Sequence, residues 1–321
     1  MPGRAGKLHA VALPQAHCAL FYRDSEEYLG GISNFIAPAL DAGEPVAIAI
    51  PGPRKLDLVR EALGGHTADV ELLDMAEVGR NPGRIISAIQ GIIDRRGGRL
   101  HYVGEPIWPG RSAEEIREAT RHEALINLAW PGEGVRVLCP YDGAGLDEAI
   151  LRDAELTHPG VVRDGNHAPS PSYCGPVPPA GCEEPLPDPP PGSVTIPFDG
   201  GELGQIRALV AEQAAMAGLR RERAAELVLA VNELTTNSVK HAGTGGRLHL
   251  WSKPGELICQ VQDGGRIADP MAGRRRGLPG IGGFGLWMVN QLCDLVEVRT
   301  GAAGSIVRVH ARGGTAEVQA G

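Results

Sequence analysis

Aromatic residues make up only 4% of this 321-residue chain. Stacking platforms for single strands are therefore scarce, which argues against single-strand nucleic-acid binding. A positive charge excess is missing as well: 31 Lys and Arg stand against 39 Asp and Glu, for a net charge of −8. General nucleic-acid binding needs a basic footprint, so no direct nucleic-acid partner is expected. Six cysteines stand at 18, 139, 174, 182, 259 and 293 without a CxxC pair or regular spacing. That pattern indicates neither a disulfide framework nor a zinc knuckle. The start of the chain lacks an apolar leader, and no apolar run approaches the ~18 residues of a membrane span. These absences predict a soluble, cytoplasmic protein with no membrane partner. No internal repeat is visible.

Proline and glycine, by contrast, are plentiful, at 26 and 45. Ten prolines fall within 165–192, including Pro189-Pro190-Pro191, and no apolar periodicity survives there. This reads as a semi-extended linker at 165–192. It separates a first domain, 10–164, from a second, 193–312. A metal reading of His167, Cys174 and Cys182 in this stretch lacks a fourth ligand at suitable spacing.

The first domain alternates short apolar runs (18–22, 45–50, 70–73, 100–103 and 135–139) with helical patterns (26–40, 54–63, 83–95, 113–129 and 146–156). Repeated β-α alternation predicts an α/β domain with a mostly parallel sheet and helices on both faces. Ligands of such sheets sit at the carboxyl ends of strands. Glu105 and Trp108 follow a strand at that edge, where a pocket for a small-molecule ligand would open. His17 and Tyr22, at the ends of the first strand, read either as packing and polar-tip residues or as sensory contacts. Cys18, Cys139 and Cys259 read as buried thiols, and Trp130 as core.

The second domain reads differently: a strand at 194–197, helices near 202–217 and 222–241, and strands near 247–252 and 257–263. A Gly/Arg-rich loop follows, then a helix near 284–292 and strands near 295–299 and 305–310. This predicts an α+β sandwich, with helices on one face of a mixed, mainly antiparallel sheet.

Three segments of that domain carry chemistry. Glu233, Asn237 and His241 recur at i, i+4 and i+8, so they share one helix face. Val261-Gln262-Asp263-Gly264-Gly265 is a strand ending in an acid and two glycines. Gly280-Ile281-Gly282-Gly283-Phe284-Gly285 is a glycine run opening a helix. An Asn oxygen is a neutral hard ligand suited to Mg²⁺. A Glu one turn away can accept a proton from a nucleophile. An Asp can accept a hydrogen bond from an exocyclic amine. Glycines before a helix let backbone amides approach phosphate, where the helix N-terminus favours negative charge. Each element alone is a weak signal; the three in this order over about fifty residues form a strong one. Lys240 and His241 have two readings, phosphate contact or helix-end charge. Arg274-Arg275-Arg276 reads as a solvated run or as a contact to phosphate or partner.

The ordered set resembles the GHKL ATPase family, which includes the ATP-binding domains of histidine kinases, gyrase and the anti-sigma factor serine kinases. The resemblance covers 194–312 and implies a Bergerat-type sandwich that binds ATP with Mg²⁺. It casts Glu233 as base, Asn237 as Mg²⁺ ligand and Asp263 as adenine reader beside Gly265. It makes Gly280, Gly282, Gly283 and Gly285 the phosphate-side lid and helix start, with His241 at the nucleotide. Two departures, Ile267 in place of a usual glycine and a short basic lid at 274–276, look more like the compact anti-sigma kinases. The first domain, over 15–157, resembles the MEDS sensory domain. The residues that carry this are His17-Cys18-Ala19-Leu20-Phe21-Tyr22, Phe35-Ile36, Gly43-Glu44-Pro45-Val46, Gly104-Glu105-Pro106-Ile107-Trp108 and His122-Glu123-Ala124-Leu125-Ile126-Asn127. That resemblance implies a RecA- or KaiC-like sheet without nucleotide chemistry, and Pro51-Gly52-Pro53-Arg54-Lys55 indeed lacks phosphate-loop spacing.

Together the resemblances imply an anti-sigma-factor-type serine/threonine protein kinase with an N-terminal sensor. Its partners would be a sigma factor and a STAS-type anti-sigma antagonist, and its usual state a homodimer. Two alternatives stand beside this one. One is a non-catalytic module that binds ATP or has lost it, which Ile267 keeps open. The other is an atypical histidine kinase, which would need a phospho-acceptor such as His122-Glu123; no dimerisation hairpin precedes the second domain.

Overall fold

The computed structural model describes residues 16–132, 134–243, 245–277 and 283–313. The chain forms two compact units. The first runs to Val78 and takes in Ile89–Ser112 and Glu123–Pro179. The second takes in Gly79–Ala88, Ala113–His122 and the chain from Ala180 onward.

In chain order the first part of the sequence gives β1 (His17–Tyr22), α1 (Ser25–Asp41), β2 (Val46–Ile50), α2 (Pro53–Leu63), β3 (Val70–Asp74) and α3 (Met75–Val78). It continues with α4 (Ile85–Arg96), β4 (Leu100–Gly104), α5 (Ala113–Ile126), β5 (Val135–Asp142), α6 (Glu148–Thr157), β6 (Gly160–Arg163) and β7 (Asn166–Pro169). The sheet order is β3-β2-β4-β5-β1-β6-β7, parallel except for β6 with β7. Every residue of β1, β2 and β4 is buried, so both faces of these strands are covered. That is why they read as unbroken apolar runs rather than as alternation. α1 starts where the Asp24 carboxylate accepts from the backbone N–H of Glu26 and Glu27, and it buries Tyr28, Ile32, Phe35, Ile36 and Ala39. These residues join Cys18, Leu20, Ile48 and Ile50 in one core.

One sequence expectation shifts here. The proline-rich stretch does not begin free of structure, because Asn166–Pro169 pair antiparallel with β6. The pairing turns through Asp164, at φ 48, and Gly165, at φ 72. Pro169 ends that edge strand, where a missing N–H costs nothing.

The second unit carries β8 (Val194–Phe198), α7 (Leu203–Met216), α8 (Arg221–Asn237), β9 (Gly246–Lys253), β10 (Glu256–Asp263), α9 (Phe284–Leu292), β11 (Leu295–Gly301) and β12 (Gly304–Arg312). Its sheet order is β11-β12-β10-β9-β8, and every pairing is antiparallel. The expected mixed sheet is thereby corrected, for a topological reason. Two helices, not one, separate β8 from β9, so the chain returns in the opposite direction. The single-helix crossover from β10 to β11 would give a parallel pair, but β12 inserts between them.

One face of this sheet meets α7 through Ile206, Val210 and Ala214 and α8 through Leu227, Ala230, Val231 and Leu234. Burying each Leu or Val there contributes roughly 1.5–3 kcal/mol. The strand residues on the alternate face include buried polar groups that pair with one another. His310 bridges Glu256 and Glu297 at 3.2 and 3.1 Å. Arg308 donates through Nε to Gln260 Oε1 at 3.0 Å. Burial lowers the His310 imidazolium, but hydrogen bonds to the two carboxylates outweigh it and raise the group above its ordinary 6.5.

Candidate functional site

α8 is regular to Asn237 and then widens into a π-helical turn, Ser238–Ala242, closed by Gly243 at φ 72. Such turns redirect side chains locally and recur at functional sites. The turn sets Ser238 against the end of β10, where its hydroxyl donates to Asp263 Oδ2 at 2.5 Å. The other carboxylate oxygen, Oδ1, accepts the Gly265 N–H at 2.8 Å. Asp263 is therefore fixed in orientation by two donors while staying half-exposed.

A cavity of about 240 Å³ opens beside this acid. Its polar lining includes Asn237, Ser238, His241, Asp263, Arg266 and Ser305, and its apolar lining includes Leu234, Val261, Ile267, Leu286 and Val307. Gly265, Gly283 and Gly285 complete the wall. Ser305 secures the floor: its hydroxyl donates to the Gly265 carbonyl at 2.9 Å. Ile267, at the position of the missing glycine, packs its side chain on the core while lining the cavity.

The glycine run reaches the site from α9. Gly283 caps that helix at φ 83, a left-handed conformation that costs other residues energy. A Cβ on Gly285 would lie 2.9 Å from Glu233 Oε2 and 3.0 Å from Asn237 Nδ2. A side chain at this position would push the Glu233 and Asn237 ends aside, so glycine suits the close approach of the start of α9 to that face of α8. Backbone amides at a helix N-terminus then lie beside an amide, a carboxylate and a concave surface.

Of the residues singled out in the sequence, the structure gathers Asn237, His241, Asp263, Gly265, Gly283 and Gly285 around one cavity. Glu233 lies behind Gly285, beside Asn237, and is not part of the lining. Gly280 and Gly282 fall outside the described residues. Lys240 is exposed and does not line the cavity. Ser238 and Ser305 were missed by sequence reasoning. Ser238 had a signal, since it directly follows Asn237, but its role depends on the π turn.

The basic lid also departs from expectation. Arg274 is buried, and burial pushes its guanidinium down to about 10. The guanidinium of Arg276 lies over the Trp287 ring, 5.4 Å from its centroid. Arg274 thus leaves the solvated run, while Arg275 and Arg276 stay exposed. His122 is 2% exposed, which removes the accessible phospho-acceptor that a histidine-kinase reading needs.

In the first unit Glu105 is fully buried at the carboxyl edge of the sheet. It accepts from Tyr22 at 3.1 Å, Tyr28 at 3.2 Å and Lys55 Nζ at 2.5 Å. Burial raises its carboxyl above the usual range, against the lowering by the Lys55 ammonium. Trp108 stacks with Arg111, whose guanidinium carbon is 3.9 Å from the ring centroid. Internal partners thus engage both residues expected at a sensory pocket.

Residues 16–159 match the family model of MEDS, the methanogen/methylotroph DcmR sensory domain. Residues 196–311 match the model of the histidine kinase-like ATPase domain. No curated protein matches. Among solved structures, one is the RsbU and RsbW domains of Rv1364c from Mycobacterium tuberculosis. It is 21% identical, with a TM-score of 0.30, over 38% of this chain and 33% of that one. The blue-light activated histidine kinase EL346 of Erythrobacter litoralis is 24% identical, with a TM-score of 0.26, over 37% and 42% of the respective chains. The chain thus spans less than half of either structure, and overlap of this size carries no argument. Among the described residues no helix is long and apolar enough to cross a membrane. On the two family matches, the chain joins a MEDS sensory domain to a histidine kinase-like ATPase domain.

Proposed function

We propose that this protein is an anti-sigma-factor-type regulator whose second domain, a Bergerat-type GHKL sandwich, is an ATP-dependent serine/threonine protein kinase. One observation carries the reading: a single cavity is lined by Asn237, His241, Asp263, Gly265, Gly283 and Gly285, with Glu233 against Gly285. The residues present fit ATP with Mg²⁺, because the approach of α9 to α8 is a cradle that one Cβ would fill. When bound, ATP supplies the phosphoryl group, and Mg²⁺ neutralises charge on its phosphates.

The chain's own groups have separate tasks. Asp263, held by Ser238 and Gly265, orients toward an exocyclic amine and reads the base. Leu234, Val261 and Val307 exclude water from the base's faces. The Asn237 amide oxygen holds Mg²⁺, and the start of α9 offers N–H groups to phosphate. Glu233 accepts the proton of a Ser or Thr hydroxyl on a STAS-type antagonist. The same domain holds a sigma factor, as a homodimer, until the antagonist is free. The MEDS domain, a RecA/KaiC-like sheet without nucleotide chemistry, biases this choice in response to a small-molecule ligand.

A second reading has its own observation. Ile267 occupies the cavity wall where the family has glycine, and Glu233 is absent from the lining. Both favour a module that binds ATP, or a partner alone, without transfer.

The test is incubation of the purified chain with Mg²⁺ and γ-labelled ATP, with and without antagonists encoded nearby. Acid-stable label on a Ser or Thr of the antagonist, lost in Asn237→Ala, supports the kinase. ATP binding without transfer to any antagonist supports the module and overturns the kinase. Acid-labile label on the protein itself returns the histidine-kinase reading.

A further inference from the structure

The first unit contains a cluster that the nucleotide site does not use. His17, Glu123, Cys139 and His158 come from β1, α5, β5 and the end of α6, and each is at most 4% exposed. One donor atom from each lies within 4.8 Å of all the others. Among the described residues it is the only such group of three or more, and it includes none of His167, Cys174 and Cys182.

The topology explains the convergence. Ala19 lies beside Cys139 in the parallel pairing of β1 with β5. Side chains two apart on a strand share a face, so His17 and Cys139 project to the same side, one step apart. Glu123 descends from α5 onto that face, and His158 caps α6 there.

The hydrogen-bond inventory then sets the chemistry. The Asn127 amide donates its two hydrogens to the carbonyls of Glu123, Ala124 and Thr157 at 2.9–3.1 Å. Its oxygen is therefore left to accept from His17 Nδ1, at 3.1 Å. His158 Nδ1 donates to the Ala154 carbonyl at 2.8 Å. Both rings thus spend their Nδ1 hydrogen outward and, as neutral imidazoles, present a bare Nε2 inward.

Those two lone pairs meet a carboxylate and a thiol. His17 Nε2 is 3.1 Å from Glu123 Oε2 and 3.4 Å from Cys139 Sγ. Cys139 Sγ is 3.3 Å from Glu123 Oε2. His158 Nε2 is 3.4 Å from the same oxygen and makes no hydrogen bond, although the residue is 0% exposed. Glu123 meets the Cys139 thiol and the Tyr141 hydroxyl, whereas His158 Nε2 meets no donor, and buried acceptors without donors cost energy. A cation at the centre satisfies all four at once.

We propose that His17, Glu123, Cys139 and His158 form a closed, structural site for a divalent transition-metal ion of the zinc class. Two imidazole nitrogens, a thiolate and a carboxylate are a borderline-soft set suited to zinc in tetrahedral coordination. Zinc–ligand bonds of about 2.0–2.3 Å put tetrahedral ligands roughly 3.3–3.7 Å apart. The contacts here are only slightly closer, with room up to the widest pair. Binding releases the Cys139 proton to solvent and leaves the sulfur as thiolate. Asn127 and the Ala154 carbonyl are the outer partners that fix ring orientation. Because the donors are buried, the ion loads as the unit folds.

Elemental analysis of the full chain, and its refolding with Co²⁺ in place of zinc, test this. The expected result is one ion per chain and, with Co²⁺, tetrahedral d–d bands with a thiolate charge-transfer band. Cys139→Ser, checked for fold by circular dichroism, loses the charge-transfer band, while Cys174→Ser keeps it. Asn127→Ala keeps the band and binds about 10- to 100-fold more weakly. This variant decides the matter if Cys139→Ser does not fold. A folded chain without metal and without a Co²⁺ spectrum would overturn the site. So would a charge-transfer band unchanged in folded Cys139→Ser, or Asn127→Ala affinity equal to wild type.

Discussion

The two units concentrate their polar chemistry in opposite ways. In the second, Asn237, His241 and Asp263 border an open cavity, and glycines keep side chains out of it. In the first, Glu105 and the His17–Glu123–Cys139–His158 group are walled in, with side chains from several elements pressed together. An open site leaves its polar groups to be satisfied by something that comes and goes. A closed one must be satisfied permanently, by internal partners or by an ion taken up on folding. On the proposed function, the contrast separates a place for turnover from a place for stability. Substitutions should therefore segregate: changes at the cavity alter ligand behaviour with little loss of fold, and changes at the closed cluster do the reverse.

The largest expected effect is at Asn237. Its replacement by Ala removes the amide proposed to hold Mg²⁺ and should lower phosphoryl transfer by about 100-fold or more, read as labelled antagonist per minute, with the melting temperature nearly unchanged. A melting temperature that fell as far as that of Cys139→Ser would erase the distinction between the two sites. Next comes Asp263. Asp263→Ala removes the carboxylate proposed to accept from the base's exocyclic amine, at a cost of about 1–3 kcal/mol in ATP affinity by calorimetry, while Ser238 keeps the Leu234 carbonyl as acceptor. Unaltered affinity would mean that the base is read elsewhere.

How much of this was legible in the sequence follows from the same contrast. Glu233, Asn237 and His241 lie on one helical segment, and Asp263 and Gly265 on one strand end, so local spacing sufficed to group them. The strand–helix alternation of the first unit was equally local, and its elements fall within a few residues of the expected limits. The closed cluster joins positions 17, 123, 139 and 158, which only the pairing of β1 with β5 brings together. Cys139 read as a buried thiol, and His17 and Glu123 as separate parts of the MEDS resemblance, because no short spacing links the four positions. The π turn after Asn237, the antiparallel insertion of β12 and the burial of Arg274 likewise depend on tertiary packing rather than local pattern.

A smaller effect sharpens the contrast from a third place, the polar face of the second sheet. His310 is raised above its ordinary 6.5 between Glu256 and Glu297. A raised histidine contributes its full stability below the unfolded value and loses it as pH rises through the folded one. The wild-type chain should accordingly lose stability in urea titrations as pH climbs from 6.5, and His310→Gln should flatten that slope. An identical slope in the variant would assign the pH dependence to other groups. Smallest of all, exposed Cys174→Ser should stay within about 0.5 kcal/mol of wild type.

The most direct test of the central claim, that the glycine-lined cavity is the nucleotide site, is calorimetric titration of the full chain with Mg·ATP. A Gly285→Val variant accompanies the wild type, because its side chain would enter the contact with Glu233 and Asn237. The account predicts Mg²⁺-dependent binding by the wild type, weakened about 10- to 100-fold in a folded Gly285→Val. Binding of equal strength in that variant, or none by the wild type, would contradict it.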